Sequence, residues 1–212
     1  MSLEYRTVTG TELSAFSSAL ADLRIRVFRE YPYLYDGSLA YEQAYLETYT
    51  ASDQAMAVLV LDTASTSVTG AEAEHVTVVG ASTGIPMAQE SDEFRQPLAA
   101  AGFLSDSLFY FGESVLLPDY RGRGVYRQFF ERRERYVREL IEKGAKFTHM
   151  CFCAVDRPER HPLRPADYQP LDRIWQHFGY RKLQGPVMHF DWKDIDQPEE
   201  TSHPMSYWIK AV

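Results

Sequence analysis

A short segment rich in arginine and glycine carries the residues of this chain best suited to chemistry. Residues 116–126 read Leu-Leu-Pro-Asp-Tyr-Arg-Gly-Arg-Gly-Val-Tyr. They join an apolar, strand-like run (Leu108 to Leu117) to a periodic helix predicted from about Val125 to Glu142. Glycines at positions 122 and 124 let several backbone N–H groups converge at a helix N-terminus, where the helix dipole favours negative charge. We interpret the segment as a cradle for an anion, specifically a phosphate.

Three kinds of phosphate-binding loop compete for this segment. The Walker loop requires a Lys-Ser or Lys-Thr pair after its glycines, and neither follows Gly124. The dinucleotide fingerprint requires a third glycine three residues after Gly124, where this chain has Arg127. What remains is Arg/Gln-x-x-Gly-x-Gly/Ala after a strand that ends in an apolar pair and Pro-Asp. This pattern resembles the coenzyme A pyrophosphate loop of the GCN5-related N-acetyltransferase superfamily.

The resemblance implies that acetyl-CoA is a co-substrate. It places the backbone groups of Leu116 and Leu117 on the pantetheine arm. It places the pyrophosphate contacts on the loop and helix start: Arg121, Gly122, Arg123, Gly124, Val125 and Tyr126. Tyr126 departs from the pattern, which has a small residue there, so its side chain either crowds the pyrophosphate or points away.

Acetyl transfer to an amine requires a base for the amine, stabilisation of the oxyanion and a proton for the leaving thiolate. Glu113 is our candidate base, because it is the only acid between Leu108 and Leu117. A carboxylate in an apolar strand needs a partner, and Arg133 falls inside the apolar stripe of the following helix. A structural Glu113–Arg133 ion pair is therefore an equal alternative.

The proton donor departs from the family pattern. Many family members have a tyrosine in a Tyr-x-x-x-Gly-Phe context on the helix after the second splayed strand, and here Trp175 takes its place. We name Tyr168, in the preceding loop, as the replacement, followed by His161 and the thiols of Cys151 and Cys153. Packing of Tyr168 on that helix is the alternative role.

Three other segments have both a functional and a structural interpretation. The loop from Arg157 to Pro165, with three arginines and three prolines, recognises an anionic group or is an ordinary charged surface. The insertion at about residues 86–107 is a lid over the acceptor pocket or a dimer contact. Aromatic packing or an acceptor pocket explains a set of tyrosines: Tyr31, Tyr33, Tyr35, Tyr41, Tyr45 and Tyr49.

Composition restricts the class of protein. The 212 residues fit a single domain, and the net charge of −8 argues against nonspecific binding of nucleic acid. No window approaches the length of a membrane span, so we expect no membrane partner and a cytoplasmic location. Two cysteines are too few for a structural zinc site, so no metal is expected and the thiols should be free and buried.

The predicted elements follow the order β-α-α-β-β-(insertion)-β-α-β-α-β-β. With the resemblance, this order implies a mixed α/β fold over residues 1–212, with a mostly antiparallel central sheet, a splayed parallel strand pair and flanking helices. The expected function is transfer of an acyl group, most simply acetyl from acetyl-CoA, to a small-molecule amine or a protein amine, with a homodimer possible. A catalytically silent acyl-CoA-binding or regulatory module is the alternative.

Overall fold

The centre of the molecule is a mostly antiparallel β-sheet, seen in a computed structural model that describes residues 2–63 and 77–212. The described strands are β1 (Leu3–Thr9), β2 (Met56–Asp62), β3 (Thr77–Pro86), β4 (Leu108–Tyr110), β5 (Ser114–Leu116), β6 (His149–Val155), β7 (Arg181–Lys193) and β8 (Glu200–Ala211). Their order across the sheet is β1-β2-β3-β4-β6-β8-β7, and β5 pairs with β3 beside β4. Only β4 and β6 pair in parallel among them, which confirms the predicted topology.

Helices cover both faces of the sheet. They are α1 (Ser17–Phe28), preceded by a 3₁₀ turn (Gly10–Phe16), then α2 (Leu39–Thr50), α3 (Asp92–Ala100), α4 (Val125–Glu142) and α5 (Asp172–His177). Strand β2 is buried along its whole length, and its side chains alternate between the two hydrophobic clusters. This explains why its sequence is continuously apolar rather than alternating.

The predicted single strand from Leu108 to Leu117 is wrong, because the chain divides it into β4 and β5. The first part pairs with β6, and the contact ends where the Phe111 N–H donates to the Cys151 carbonyl at 2.8 Å. The second part pairs only with β3. Residues 111–113 separate the two, and the sheet is therefore open between β5 and β6.

Gly112 is the residue that permits this break. A Cβ at this position would lie 2.2 Å from the Tyr49 hydroxyl oxygen and 2.7 Å from Thr83 Oγ1, so no larger residue fits without movement. The carbonyl of the next residue, Glu113, accepts hydrogen bonds from the Thr83 N–H at 3.2 Å and the Ser82 hydroxyl at 2.7 Å. Close packing at Gly112 and hydrogen bonds to Glu113 thus hold the chain in place at the break.

The segment at about residues 86–107 folds back onto the sheet. Phe94 of its helix α3 packs between Tyr110 and Phe190, with ring centroids 5.1 and 5.5 Å away. The Tyr207 hydroxyl donates to the Phe94 carbonyl at 2.8 Å. The insertion therefore forms one wall of the sheet face that α1 and α2 also cover.

Several element boundaries differ from the sequence prediction. The helix predicted over Leu13–Glu30 opens as a 3₁₀ turn and becomes α-helical only at Ser17. The last two strands are longer than predicted, because they form a hairpin with each other that side-chain patterns alone do not delimit. The turn predicted between β2 and β3 lies outside the described residues.

Arg157 joins three parts of the chain at the end of β6. Its guanidinium donates to both carboxylate oxygens of Asp194, at 2.6 and 2.8 Å, and to the carbonyls of Pro32 and Tyr33. Both charged side chains are nearly inaccessible, at 7% and 5% exposed. The first arginine of the 157–165 loop therefore has a structural role in the fold.

Among the described residues, no helix combines the length and hydropathy needed to cross a membrane.

We predict that Arg157→Leu destabilises the protein by about 3–5 kcal/mol, because the Asp194 carboxylate stays buried without its cation. Urea unfolding followed by circular dichroism measures the loss. Arg26→Leu is the matched control, since the Arg26–Asp22 pair is more than half exposed. A pair of that kind contributes about 0–1 kcal/mol. Equal losses in the two variants would contradict a buried ion pair.

Candidate active site

The predicted anion loop forms an open, uncapped helix N-terminus. Gly124 is the N-cap residue of α4 with φ of 77°, Gly122 has φ of 74°, and no side chain caps the helix. A Cβ built on either glycine would meet nothing within 4 Å. The first N–H groups of a helix have no intrahelical acceptor, so an anion in front of this turn would supply one.

The two loop arginines support the loop through its own carbonyl groups. Arg121 donates through Nε and Nη2 to the Leu116 carbonyl, both at 3.2 Å, and pairs with Glu30 at 2.8 Å. Arg123 donates to the Asp119 carbonyl at 2.9 Å. The sequence interpretation treated both as anion contacts, whereas this geometry gives them a bracing role beside the backbone N–H groups.

One side of the gap in the sheet is the backbone of β5. The Leu117 N–H donates to the Val79 carbonyl and its carbonyl accepts from the Tyr120 N–H, both at 3.0 Å. Both backbone groups of Leu117 thus have partners within the protein, and the contact of Leu117 with a pantetheine arm stays a prediction. Residues 113, 115 and 117 turn their backbone groups toward β3, so those of Leu116 point away from β3, and Arg121 binds the Leu116 carbonyl.

Tyr126 turns sideways from the loop instead of covering it. Its ring packs on Phe130, with centroids 5.4 Å apart, and its hydroxyl accepts a hydrogen bond from Trp175 Nε1 at 3.2 Å. Trp175 in turn stacks edge-to-face on Phe152 and Trp208. The two residues that depart from the family pattern therefore contact each other across α4 and α5.

Glu113 lies in a buried charge cluster. Its carboxylate accepts a hydrogen bond from Arg24, and the same guanidinium donates to Glu42. The side chains of both acids are 0% exposed, and Oε1 of each has no hydrogen-bond partner. Burial raises the pKa of Glu113 and the neighbouring Arg24 opposes the rise. One guanidinium thus serves two carboxylates, and the hydroxyls of Thr83 and Tyr35 interact with Glu113 and Glu42 respectively.

The alternative prediction, an ion pair between Glu113 and Arg133, is wrong, because the cation that binds the Glu113 carboxylate is Arg24. Arg133 is buried, but it donates to the backbone carbonyl of Glu113 at 3.4 Å. Its guanidinium lies over the rings of Phe111 and Phe130, 4.2 and 5.0 Å from their centroids. Because it approaches from the α4 face, it meets the backbone, while the carboxylate points to α1 and α2.

A third buried acid, Glu90, extends the cluster without a cation of its own. Its carboxylate accepts from the Tyr49 hydroxyl at 2.8 Å and the Ser91 N–H at 3.3 Å. The Tyr49 hydroxyl also lies 3.2 Å from that of Tyr45. Burial raises the pKa of Glu90, and the Tyr49 hydrogen bond opposes that rise.

An aromatic pocket ends at the break between β4 and β5. Its walls come from α1, α2, α3, β7 and β8, and the half-open pocket has a volume of about 70 Å³. Gly112 and the charged residues Arg24 and Glu42 line it together with aromatic side chains that include Phe28, Tyr33, Tyr41, Tyr45, Phe190 and Trp192. The tyrosine-rich segment therefore contributes to both packing and a cavity.

The comparisons with known proteins agree on the fold. Neither the family models nor the curated proteins contain a match to this sequence. Among solved structures, Arabidopsis thaliana NAA60 in complex with acetyl-CoA is similar with a TM-score of 0.56, 12% identity and coverage of 100% of this chain and 99% of that one. A GCN5-related N-acetyltransferase from Kribbella flavida has a TM-score of 0.54, 14% identity and coverage of 99% and 98%. A NatC complex bound to Gag peptide and CoA has a TM-score of 0.52, 8% identity and coverage of 100% and 99%.

The fold is that of the GCN5-related N-acetyltransferases. The splayed strands β5 and β6, the uncapped start of α4 and the aromatic pocket occupy connected parts of this acetyltransferase fold. Structural similarity at such low sequence identity supports the fold alone, so the chemistry has to be argued from this chain's own residues.

Tyr168 lies beside the open end of β6 in a small cluster of rings. It is half-buried, edge-to-face with Tyr31 at 4.6 Å between centroids, and Arg164 lies 5.1 Å from its ring. Tyr33 is nearby, and the N–H of Val155 faces its hydroxyl. Burial raises the pKa of both tyrosines, so both are protonated at neutral pH.

The other proposed proton donors occupy different positions. Both cysteines are free, as predicted, but they are buried on the face that α1 to α3 cover, and burial raises the pKa of each thiol. His161 lies against Tyr31, with ring centroids 5.8 Å apart. Tyr168 and Tyr33 therefore remain the phenols next to the open strand end.

Arg24 and Glu42 are site residues that the sequence interpretation missed. Glu42 shares a buried helix face with Leu46 and Tyr49, at i, i+4 and i+7, and Arg24 shares one with Leu20 and Leu23. A charged residue on the apolar face of a helix was the available signal. That signal gives no partner, because the two residues meet only after α1 and α2 pack together.

We predict that the stability difference between Glu90→Gln and the native protein depends on pH. Since the folded-state pKa of Glu90 is raised, its contribution is complete below its unfolded pKa of ~4.3 and is lost as pH rises through the folded pKa. Glutamine does not titrate, so the variant should gain stability relative to the native protein between pH 4 and pH 8. Urea unfolding across this range measures the change, with exposed Glu47→Gln as control. A stability difference between the two proteins that does not change with pH would contradict a raised pKa of the buried Glu90 carboxyl.

Proposed function

We propose that the protein transfers an acetyl group from acetyl-CoA to an amine. The observation that carries the proposal is the opening between β5 and β6, with an uncapped helix start on one side and the aromatic pocket at the Gly112 break. A cofactor arm in the opening and an amine in the pocket would meet at that break. Similar folds solved with acetyl-CoA or with CoA and a peptide support this assignment. The chain would act as one acyltransferase domain with the 86–107 segment as a wall of the acceptor side.

The binding of acetyl-CoA would use backbone groups more than side chains. The Leu116 N–H would contact the pantetheine arm, and the N–H groups of Val125 and Tyr126 would donate hydrogen bonds to the pyrophosphate at the turn formed by Gly122 and Gly124. The arginines Arg121 and Arg123 keep that turn in shape and add positive charge near it. Holding both reactants in the correct relative position accounts by itself for a large part of the rate acceleration in such a reaction.

The reaction requires a proton balance at two atoms. The amine nitrogen attacks the acetyl carbonyl carbon, the carbon–sulfur bond breaks, and the thiolate leaves. The ammonium form must lose one proton before attack and the nitrogen another afterwards, while the thiolate gains one. We assign proton acceptance to the cluster of Glu113 and Glu42 with Arg24, and proton donation to the thiolate to Tyr168.

Glu42 and Arg24 are the members of this cluster that line the pocket, whereas Glu113 is connected to it through Arg24. The raised pKa of Glu113 brings it closer to that of a base useful at neutral pH. Arg24 links the two carboxylates, so a proton accepted by one changes the charge felt by the other. Glu113 would thus act through the cluster.

We predict that Gly124→Ala weakens acetyl-CoA binding at least tenfold, because a methyl group and a strained turn disturb the anion site. The left-handed backbone alone costs about 1–2 kcal/mol of stability in either variant. Gly102→Ala is the matched control, since Gly102 has φ of 88° and equally open surroundings. Calorimetric titration with acetyl-CoA measures the affinity. Equal affinities in the two variants would exclude the loop as the pyrophosphate site.

We predict that Tyr168→Phe lowers kcat about 100-fold while the affinity for acetyl-CoA is unchanged, as expected for loss of a general acid. Initial rates of thiol release give kcat, and titration gives the affinity. Tyr31→Phe is the control, because it keeps the edge-to-face ring contact and removes a neighbouring hydroxyl. A loss in Tyr33→Phe with none in Tyr168→Phe would transfer the role to Tyr33.

A catalytically silent acyl-CoA-binding module is the second candidate. The contact between Tyr126 and Trp175 favours it, because two positions that differ from the family pattern are committed to packing against each other. Stabilisation by acetyl-CoA without thiol release over a broad panel of amines would select this function. Absence of any acetyl-CoA binding would exclude both.

A further inference from the structure

We propose that the aromatic pocket binds the acceptor as a primary alkylammonium ion whose arm near the nitrogen carries no carboxylate or phosphate. This inference rests on the proposed function and adds the chemical class of the acceptor. Three properties of the pocket carry it: its buried acid, its aromatic walls and its size.

The buried acid calls for a cation. Glu42 lines the pocket with a side chain that is 0% exposed. Its Oε1 has no partner at hydrogen-bond distance, and the hydroxyl of Tyr35, which also lines the pocket, interacts with the carboxylate. Its other oxygen and one oxygen of Glu113 share the single guanidinium of Arg24. Two carboxylates with one cation leave an excess of negative charge, and an unmade hydrogen bond at a buried carboxylate oxygen is costly. An ammonium group supplies both the charge and the donor.

The same arrangement disfavours an anionic acceptor. Arg24 is the cation among the described lining residues, and both Nε and Nη1 already donate to carboxylates. Its guanidinium lies over the rings of Tyr45 and Phe28, 4.2 and 5.2 Å from their centroids. An incoming carboxylate would therefore meet Glu42 without a free cation.

The walls and the size select an alkyl arm. Aromatic side chains that include Tyr41 and Trp192 line the pocket, and aromatic rings attract an ammonium ion and pack against methylene groups. The pocket is half-open, and its volume of about 70 Å³ is smaller than the ~150 Å³ cavity that admits benzene in an engineered core. A chain of a few methylene groups fits, with the remainder of the molecule outside the rim near Tyr41, which is 43% exposed.

Calorimetric titration of the full chain at pH 7 without acetyl-CoA tests the proposal with four probes. We expect n-butylamine to bind at least tenfold tighter than 1-butanol, which has the same shape without the charge, and than 4-aminobutanoate. It should also bind tighter than 2-phenylethylamine. Equal binding of n-butylamine and 1-butanol, no binding of n-butylamine at 10 mM, or tighter binding of either of the other two probes would overturn the proposal.

Two variants connect the selectivity to the residues. Glu42→Gln should weaken the binding of n-butylamine about tenfold and leave the binding of 1-butanol unchanged. Glu47 is an exposed acid on the same helix, and Glu47→Gln should change the affinity for neither probe. Tyr41→Leu, at the exposed rim, should weaken the binding of n-butylamine about threefold. Because Tyr41 lies outside the buried charge cluster, this variant tests the pocket without disturbing that cluster. Unchanged affinity for n-butylamine in both Glu42→Gln and Tyr41→Leu would overturn the assignment.

A separate titration with acetyl-CoA distinguishes this inference from the proposed function. If acetyl-CoA binds and thiol is released with other amines while n-butylamine does not bind, only the alkylammonium class is wrong. If acetyl-CoA does not bind, the proposed function fails whatever the amine result, and the pocket is then judged by the four probes alone.

Discussion

The arrangement of this protein depends on one close approach, that of the Tyr49 hydroxyl and Thr83 to the backbone at Gly112. Without a side chain there, the chain between β4 and β5 can leave the strand path while its neighbours still pack tightly. One half of the divided strand stays with β6 and the other stays with β3. The opening in the sheet, and the position of every group around it, follows from this division.

The same break sorts the charged groups onto two sides. On one side, Arg133 holds the Glu113 carbonyl from α4, and its own charge is stabilised by two aromatic faces rather than by an acid. On the other side, the Glu113 carboxylate reaches Arg24 and, through it, Glu42. A buried ion cluster of this kind is poor evidence of stability, because desolvation of the charges offsets their attraction. Its place beside a pocket favours a role in chemistry instead.

The sequence predicted those features that local pattern determines. The alternating and continuous apolar runs located the strands, and the glycines at 122 and 124 located an uncapped helix start. It did not predict the division of Leu108–Leu117, because every residue there except Gly112 and Glu113 is compatible with one strand. It offered Arg133 as a partner of Glu113 because Arg133 falls inside the apolar stripe of α4, whereas the true partner, Arg24, lies 89 positions away. Contacts between distant elements need the topology, which a single sequence implies only through resemblance.

Two isolated departures from the family pattern become one feature in three dimensions. Tyr126 begins α4 and Trp175 lies on α5, and separately each would weaken the case for catalysis. Their contact, with Trp175 also stacked on Phe152 and Trp208, joins the helix that carries the anion loop to the open strand β6 and its partner β8. Since the hydroxyl of Tyr126 is engaged at this joint, a small residue at 126 would leave Trp175 Nε1 without its acceptor. The pair therefore ties α4 to α5 beside the open strand β6.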